Sequence, residues 1–170
     1  VRASGAGLGV LSVKVTVVGA GAWGTALAIA LNERHAVTLW AREPDVVQKI
    51  TEKRENGRFL PGILLPESLQ VEADLGGAVS NSELLVVAAP LVGLRDTLKK
   101  IREVVVSPRL IWVCKGFEPG SGKLPHQVVE EEFGAISCGV LTGPSFADEV
   151  AKGLPTAVAL ASRDGGFARN

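Results

Sequence analysis

Gly19-Ala20-Gly21-Ala22-Trp23-Gly24 forms a G-x-G-x-x-G run. Glycines at this spacing suit a phosphate-binding turn. The first permits a tight turn, the second lets a pyrophosphate approach the backbone, and the third lets the next helix lie close to the preceding strand. Alone, the run is a weak signal. Its setting strengthens it, because β-branched Val15-Thr16-Val17-Val18 precedes it and an Ala/Leu-rich segment follows, within a strand–helix–strand unit ending at Trp40. A helix starting here offers free N–H groups and a positive dipole end to phosphates. The chemistry indicated is dinucleotide binding, against the plainer alternative of a ligand-free glycine turn. The residue after the second strand bears on which dinucleotide. An acid there binds the ribose 2′-OH of NAD, whereas an arginine accommodates the 2′-phosphate of NADP. The sequence reads Trp40-Ala41-Arg42-Glu43. Arg42 tilts the preference towards NADPH and leaves NAD open; its alternative is a solvated arginine paired with Glu43 or Asp45.

In open α/β sheets, ligands sit outside the carboxyl ends of the strands. The residues following the other predicted strands are therefore candidates. Lys115-Gly116 follows Leu110–Cys114. A lysine there could hold a substrate phosphate or polarise a carbonyl oxygen; a surface lysine at a strand end is the alternative. Thr142-Gly143-Pro144-Ser145-Phe146-Ala147 follows Gly139–Leu141. Ser145-Phe146-Ala147-Asp148 has the form of a capping box, so Ser145 reads equally as a helix cap or, with Gly143, as part of a second anion site. His35 and His126 lack partners at metal spacing, so no metal site is assigned. Cys114 and Cys138 read as reduced structural thiols, and no Ser-His-Asp arrangement can be placed.

The elements that must position these residues follow from the apolar pattern. Strands are predicted at Val13–Gly19, Val37–Trp40, Leu84–Ala89, Leu110–Cys114, Gly139–Leu141 and Thr156–Ala161. Most are continuous apolar runs, the mark of strands covered on both faces. Helices are predicted at Trp23–Glu33, Pro44–Glu55, Leu91–Glu103, Leu124–Phe133 and Ser145–Lys152. The alternation implies a Rossmann-like, doubly wound α/β fold, with a mostly parallel sheet and helices on both faces. Asn56–Pro66, NGRFLPGILLP, is too apolar for a floppy loop and reads as a structured excursion. Residues 1–12 read as a loose leader and 13–170 as one dinucleotide-binding domain. The chain has 170 residues, 18 Lys+Arg against 18 Asp+Glu, and 46% hydrophobic types. Zero net charge argues against a nucleic-acid binder with a broad basic face, and the apolar fraction argues against disorder. The uncharged stretch Val15–Asn32 nears the length of a membrane span, but its central glycines and its change from β-branched to Ala/Leu-rich composition favour strand, turn and helix. The expectation is a cytoplasmic protein without a membrane span. The chain starts at Val1 and contains no Met, which fits a piece of a longer polypeptide.

Taken together, VTVVGAGAWGTALAIALN (15–32), LWAR (39–42), NGRFLPGILLP (56–66), VVAAP (86–90), VCKGFE (113–118) and LTGPSFADEVAKGLPTAV (141–158) resemble the NAD(P)-dependent glycerol-3-phosphate dehydrogenases, especially the bacterial type. The resemblance runs in order over roughly residues 13–162. It implies an oxidoreductase that interconverts sn-glycerol 3-phosphate and dihydroxyacetone phosphate, supplying the phospholipid backbone. It also implies that Ala22, Trp23, Arg42 and Ala147 contact the dinucleotide with Gly19, Gly21 and Gly24. Lys115, Gly143 and Ser145 would line the phosphoglycerol site, with Lys115 touching the cofactor too. Leu91-Val92-Gly93-Leu94 stands where many relatives carry Ser after Pro. Relatives of this kind are about twice as long. Their second, helical domain supplies the general acid/base lysine, so no catalytic residue is assigned in this chain. The resemblance leaves room for a homodimer at full length. By itself the chain is expected to bind cofactor and turn over little. The alternative is a stand-alone dinucleotide-binding or redox-sensing module without catalysis.

Overall fold

The computed structural model describes residues 12–169. The expected leader therefore lies outside the described residues except for Ser12. Seven strands form one sheet: β1 (Lys14–Val18), β2 (Ala36–Trp40), β3 (Gln70–Glu72), β4 (Leu84–Val87), β5 (Leu110–Trp112), β6 (Cys138–Thr142) and β7 (Ala159–Ala161). Their order is β3-β2-β1-β4-β5-β6-β7. All neighbours are parallel except the β6–β7 pair. The order runs outwards in one direction from β1 to β3 and in the other from β4 onwards. The reversal between β1 and β4 leaves a crevice at their carboxyl ends, where such sheets bind ligands.

Helices cover both faces, because the central strands are apolar on both sides, interrupted only by Thr16 in β1 and Thr38 in β2. On one face, α1 (Ala22–Asn32), α2 (Pro44–Lys53) and α6 (Ala147–Ala151) cover Val15, Val17, Val37 and Leu39. The 56–69 excursion adds Leu60, Leu65 and Leu69 to that core. Helix α1 is small-sided and lies directly against α6. On the other face, α3 (Leu75–Ser80), α4 (Leu94–Arg102) and α5 (Pro125–Phe133) cover Val18, Leu85, Val87 and Leu110. Leu94, Leu98 and Ile101 form the buried stripe of α4; burying such side chains is worth about 1.5–3 kcal/mol each. No helix among the described residues is long and apolar enough to cross a membrane.

Several boundaries differ from the sequence expectation. Strand β3 and helix α3 were not anticipated. β3 is a three-residue edge strand with exposed ends, and α3 contains two glycines. Both features hide the usual apolar rhythm; the available signal is Asp74, whose Oδ2 accepts from the Gly77 N–H at 2.6 Å and caps α3. Leu91–Gly93 forms a 3₁₀ turn ahead of α4. The last strand is only Ala159–Ala161 and runs antiparallel. Helix α6 begins at Ala147, with Phe146 at its cap position and no side-chain cap bond. Ser145 is therefore not the cap that its spacing to Asp148 suggests.

Candidate functional site

The glycine turn sits at the carboxyl end of β1, beside β4. Its polypeptide is drawn in from both sides: the Gly19 N–H donates to the Trp40 carbonyl at 3.0 Å, and the Ala88 N–H to that of Val18 at 2.9 Å. Gly19 has φ +120°, a left-handed conformation that disfavours any side chain. A Cβ on Gly24 would stand 1.8 Å from the Gly19 carbonyl oxygen. Only glycine lets α1 approach the turn this closely. Gly21 is the opposite case, because a Cβ there would meet nothing within 4 Å. The middle of the turn thus faces open space while its two ends are tightly enclosed. Helix α1 starts at Ala22, with Gly21 at its cap position and no acidic side chain in its first turn. Its N-terminal donors are left available to an anion.

Asn56 closes the turn from beneath. It is only 2% exposed. Its Nδ2 donates to the Ala20 carbonyl and to Thr25 Oγ1, both at 2.8 Å. The sequence marked this segment as structured but did not reveal the link; the available signal is a lone amide opening an apolar excursion.

A second group gathers along the same edge. Trp23, Val113, Lys115, Leu141, Thr142, Gly143, Ser145 and Val158 line a hollow of about 280 Å³. Four of the expected site residues, Trp23, Lys115, Gly143 and Ser145, are thereby brought together. Ser145 Oγ is buried and has no hydrogen-bond partner. An unpaired buried hydroxyl costs about 1–3 kcal/mol, a cost that an acceptor placed in the hollow would remove. Lys115 stands exposed at the rim and makes no ion pair among the described residues. The hollow thus offers an ammonium and a hydroxyl donor beside apolar walls, a set suited to a small phosphorylated molecule. Neighbouring Cys114 is no nucleophile, because burial pushes its thiol up to about 11 and keeps it protonated at neutral pH. A larger hollow of about 640 Å³ lies away from this edge, between α5 and the β6–β7 pair. It contains none of the glycine-turn residues.

The loop carrying Lys115 is tied down by an ionic clamp that sequence reasoning missed. Arg95, on α4, holds Glu118 with two bonds, from Nε at 2.7 Å and Nη2 at 2.8 Å. It also reaches Glu131 and Glu132 on α5, each at 2.8 Å. Arg102 shares Glu132, and Lys123 pairs with Glu131. The Arg95 guanidinium and the Ser121 hydroxyl hold the Glu118 carboxyl down at about 2. Such a bidentate, multiply shared pair fixes geometry more firmly than an isolated surface pair.

Other expected residues lie apart from the hollow. Arg42 ends the β2 loop with its side chain 75% exposed and paired to Glu43 at 3.0 Å. Ala147 opens α6 and packs against the α1 core. Trp40 lies in the core beneath α3 and α4, its indole N–H donated to the Ala73 carbonyl at 2.9 Å. Among the described residues, no three His, Cys, Asp or Glu side chains are grouped to hold a metal ion.

Strand order, glycine turn and edge hollow define a Rossmann-like α/β domain of the dehydrogenase kind. Residues 14–168 match the family described as the NAD-dependent glycerol-3-phosphate dehydrogenase N-terminus, and the chain belongs to that family. Relatives named glycerol-3-phosphate dehydrogenase [NAD(P)+] include that of Dechloromonas aromatica, 56% identical over 92% of this chain and 48% of the relative. That of Nitrosomonas eutropha is 53% identical over 91% and 47%. Among solved structures, the glycerol-3-phosphate dehydrogenase of Coxiella burnetii superposes with TM-score 0.88 at 34% identity, over 93% of this chain and 49% of that one. The chain thus spans about half the length of the curated relatives it matches.

Proposed function

We propose that the chain is the dinucleotide-binding half of an NAD(P)-dependent glycerol-3-phosphate dehydrogenase, interconverting sn-glycerol 3-phosphate and dihydroxyacetone phosphate. The observation that carries this reading is the unpartnered, buried Ser145 hydroxyl beside Lys115, in a hollow walled by Trp23 of the glycine-turn helix. The family match and the relatives' names support it over a module without catalysis.

The residues present fit a dinucleotide. The enclosed Gly19 and Gly24 and the open Gly21 leave room for a pyrophosphate against the backbone. Gly19, Gly21, Ala22, Trp23 and Gly24 hold it at the turn, Arg42 reaches its ribose, and Ala147 supports it from α6. When bound, the nicotinamide supplies a hydride donor or acceptor. Lys115 and Ser145 donate hydrogen bonds to the substrate phosphate, and Gly143, whose missing side chain makes room for the Ala157 carbonyl, keeps the 157–158 segment close against this edge. Lys115 also touches the cofactor, linking the two sites. The proton at the carbinol oxygen needs a group within hydrogen-bond reach. We assign that group to the half of the family's length beyond this chain, together with any dimer contact. NADPH is the cofactor favoured by Arg42, with NAD also accepted.

The test is a two-stage calorimetric titration. NADPH is added first, then glycerol 3-phosphate is titrated into the complex. The expected result is heat from both, with the second lost in Lys115→Ala. Absence of NADPH binding by the unaltered chain overturns the reading.

A further inference from the structure

We infer that Asn56 is a positioning residue for the dinucleotide phosphates, acting through the Ala20–Gly21 peptide. This deepens the proposed function and rests on it. The carbonyl oxygen and the amide hydrogen of a planar trans peptide point in opposite directions. Asn56 Nδ2 holds the Ala20 carbonyl at 2.8 Å from the buried side of the turn. The N–H of the same peptide, belonging to Gly21, is therefore turned away from Asn56, and a side chain on Gly21 would itself meet nothing within 4 Å. That N–H donates to no backbone acceptor among the described residues. It is the donor a pyrophosphate would take.

The amide is itself held without freedom to turn. Its second Nδ2 hydrogen goes to Thr25 Oγ1 at 2.8 Å, one turn into α1. Its main-chain carbonyl accepts from the Leu60 N–H at 2.8 Å. Leu60 is buried in the core under α1 and α2. The neighbouring Arg54 anchors the far end of the excursion, donating to the Pro66 and Leu69 carbonyls. A segment more than thirty residues downstream of the turn thus sets the aim of one backbone donor. A bare glycine turn could rotate this peptide, and the tie removes that freedom before a ligand arrives.

The test compares two variants: Asn56→Ala removes both bonds of the amide, and Thr25→Val removes one of them. Asn56→Ala releases the Ala20 carbonyl. Thr25→Val removes only the companion bond and keeps the helix volume. NADPH affinity is measured by calorimetry for each, beside its urea midpoint. The expected result is a loss of about tenfold or more in Asn56→Ala and less than twofold in Thr25→Val, although both lower the midpoint. Equal losses in the two variants overturn the inference, as does an Asn56→Ala protein that keeps full affinity. Asn56→Ser, whose shorter side chain does not span to Ala20, reads the same split if Asn56→Ala does not fold. In the unaltered chain, Gly21 amide hydrogen exchange is expected to be fast alone and slowed by NADPH; a Gly21 amide already protected without ligand contradicts the outward orientation. An unaltered chain that binds no NADPH defeats the reading beneath, and the inference with it. Binding that survives with Asn56→Ala unaffected defeats the inference alone.

Discussion

The glycine turn and the Lys115–Ser145 hollow share one edge of the sheet, yet they are finished to different degrees. The turn is assembled from backbone, and its inward-facing groups are paired: Gly19 with Trp40, Ala20 with Asn56. The hollow is assembled from side chains, and its key hydroxyl is unpaired. A backbone site can be aimed during folding, because the peptide units that bind are also units of the fold. A side-chain site keeps its donors unsatisfied until a ligand supplies the acceptor. Stability and binding should therefore separate differently in the two regions. Where the turn's own peptides are disturbed they fall together; at the hollow they oppose or ignore one another.

The sharpest attempt to break this contrast is Gly24→Ala. Its methyl would overlap the Gly19 carbonyl, and overpacking against backbone costs about 3 kcal/mol. Urea denaturation should show that loss, with NADPH binding abolished alongside it. Lys115→Ala comes next. A charge-assisted hydrogen bond is worth about 1.5–3 kcal/mol. Glycerol 3-phosphate affinity in the cofactor complex should fall at least about tenfold, while stability stays within about 0.5 kcal/mol, as for other exposed sites. Ser145→Ala should likewise weaken glycerol 3-phosphate, yet leave the free chain as stable or up to about 1 kcal/mol more so, because an unpaired buried hydroxyl is removed. A destabilised Ser145→Ala protein would show the hydroxyl is already satisfied and erase the contrast.

The clamp behind Lys115 gives a pH test. The folded Glu118 carboxyl lies at about 2, below the ordinary unfolded value of about 4.3. Its contribution is therefore fully present above the unfolded value and is lost as pH falls towards 2. Thermal midpoints of the unaltered chain and Glu118→Gln should differ by a constant amount above about pH 5 and converge between about pH 4 and pH 2. The smallest effect belongs to Arg42→Ala. Its pair with Glu43 is exposed and such pairs carry about 0–1 kcal/mol. Quenching of Trp23 fluorescence should show a weaker NADPH complex and an unchanged NADH complex; equal changes would remove Arg42 from cofactor selection.

The pattern of legibility follows the same division. Strand runs such as Val15–Val18 and Leu84–Val87 announce themselves, because strands covered on both faces must be continuously apolar. Gly19 and Gly24 are legible because close backbone approach admits no substitute. Edge strand β3 and the glycine-containing α3 are not, since neither needs a full apolar stripe. Lys115, Gly143 and Ser145 are placed by strand ends, but their gathering in one hollow depends on parallel β5 and β6 lying side by side. The Asn56 tie and the Arg95 clamp join residues far apart in sequence. Neither leaves a periodic trace, because one amide or one guanidinium can serve its purpose in almost any local pattern.

The placement of α6 on α1 has a consequence for how this chain comes into being. The helix that carries the glycine turn is covered by a segment that starts at Ala147. During synthesis, the first strand and its turn emerge early, but α6 follows only after β2 to β6. At roughly 5–20 residues per second, the interval is on the order of ten seconds. Through that time α1 can lie against β1 and β2 but lacks its contact with α6. Such long-range closure slows folding, and it leaves the helix behind the turn incompletely covered until α6 docks.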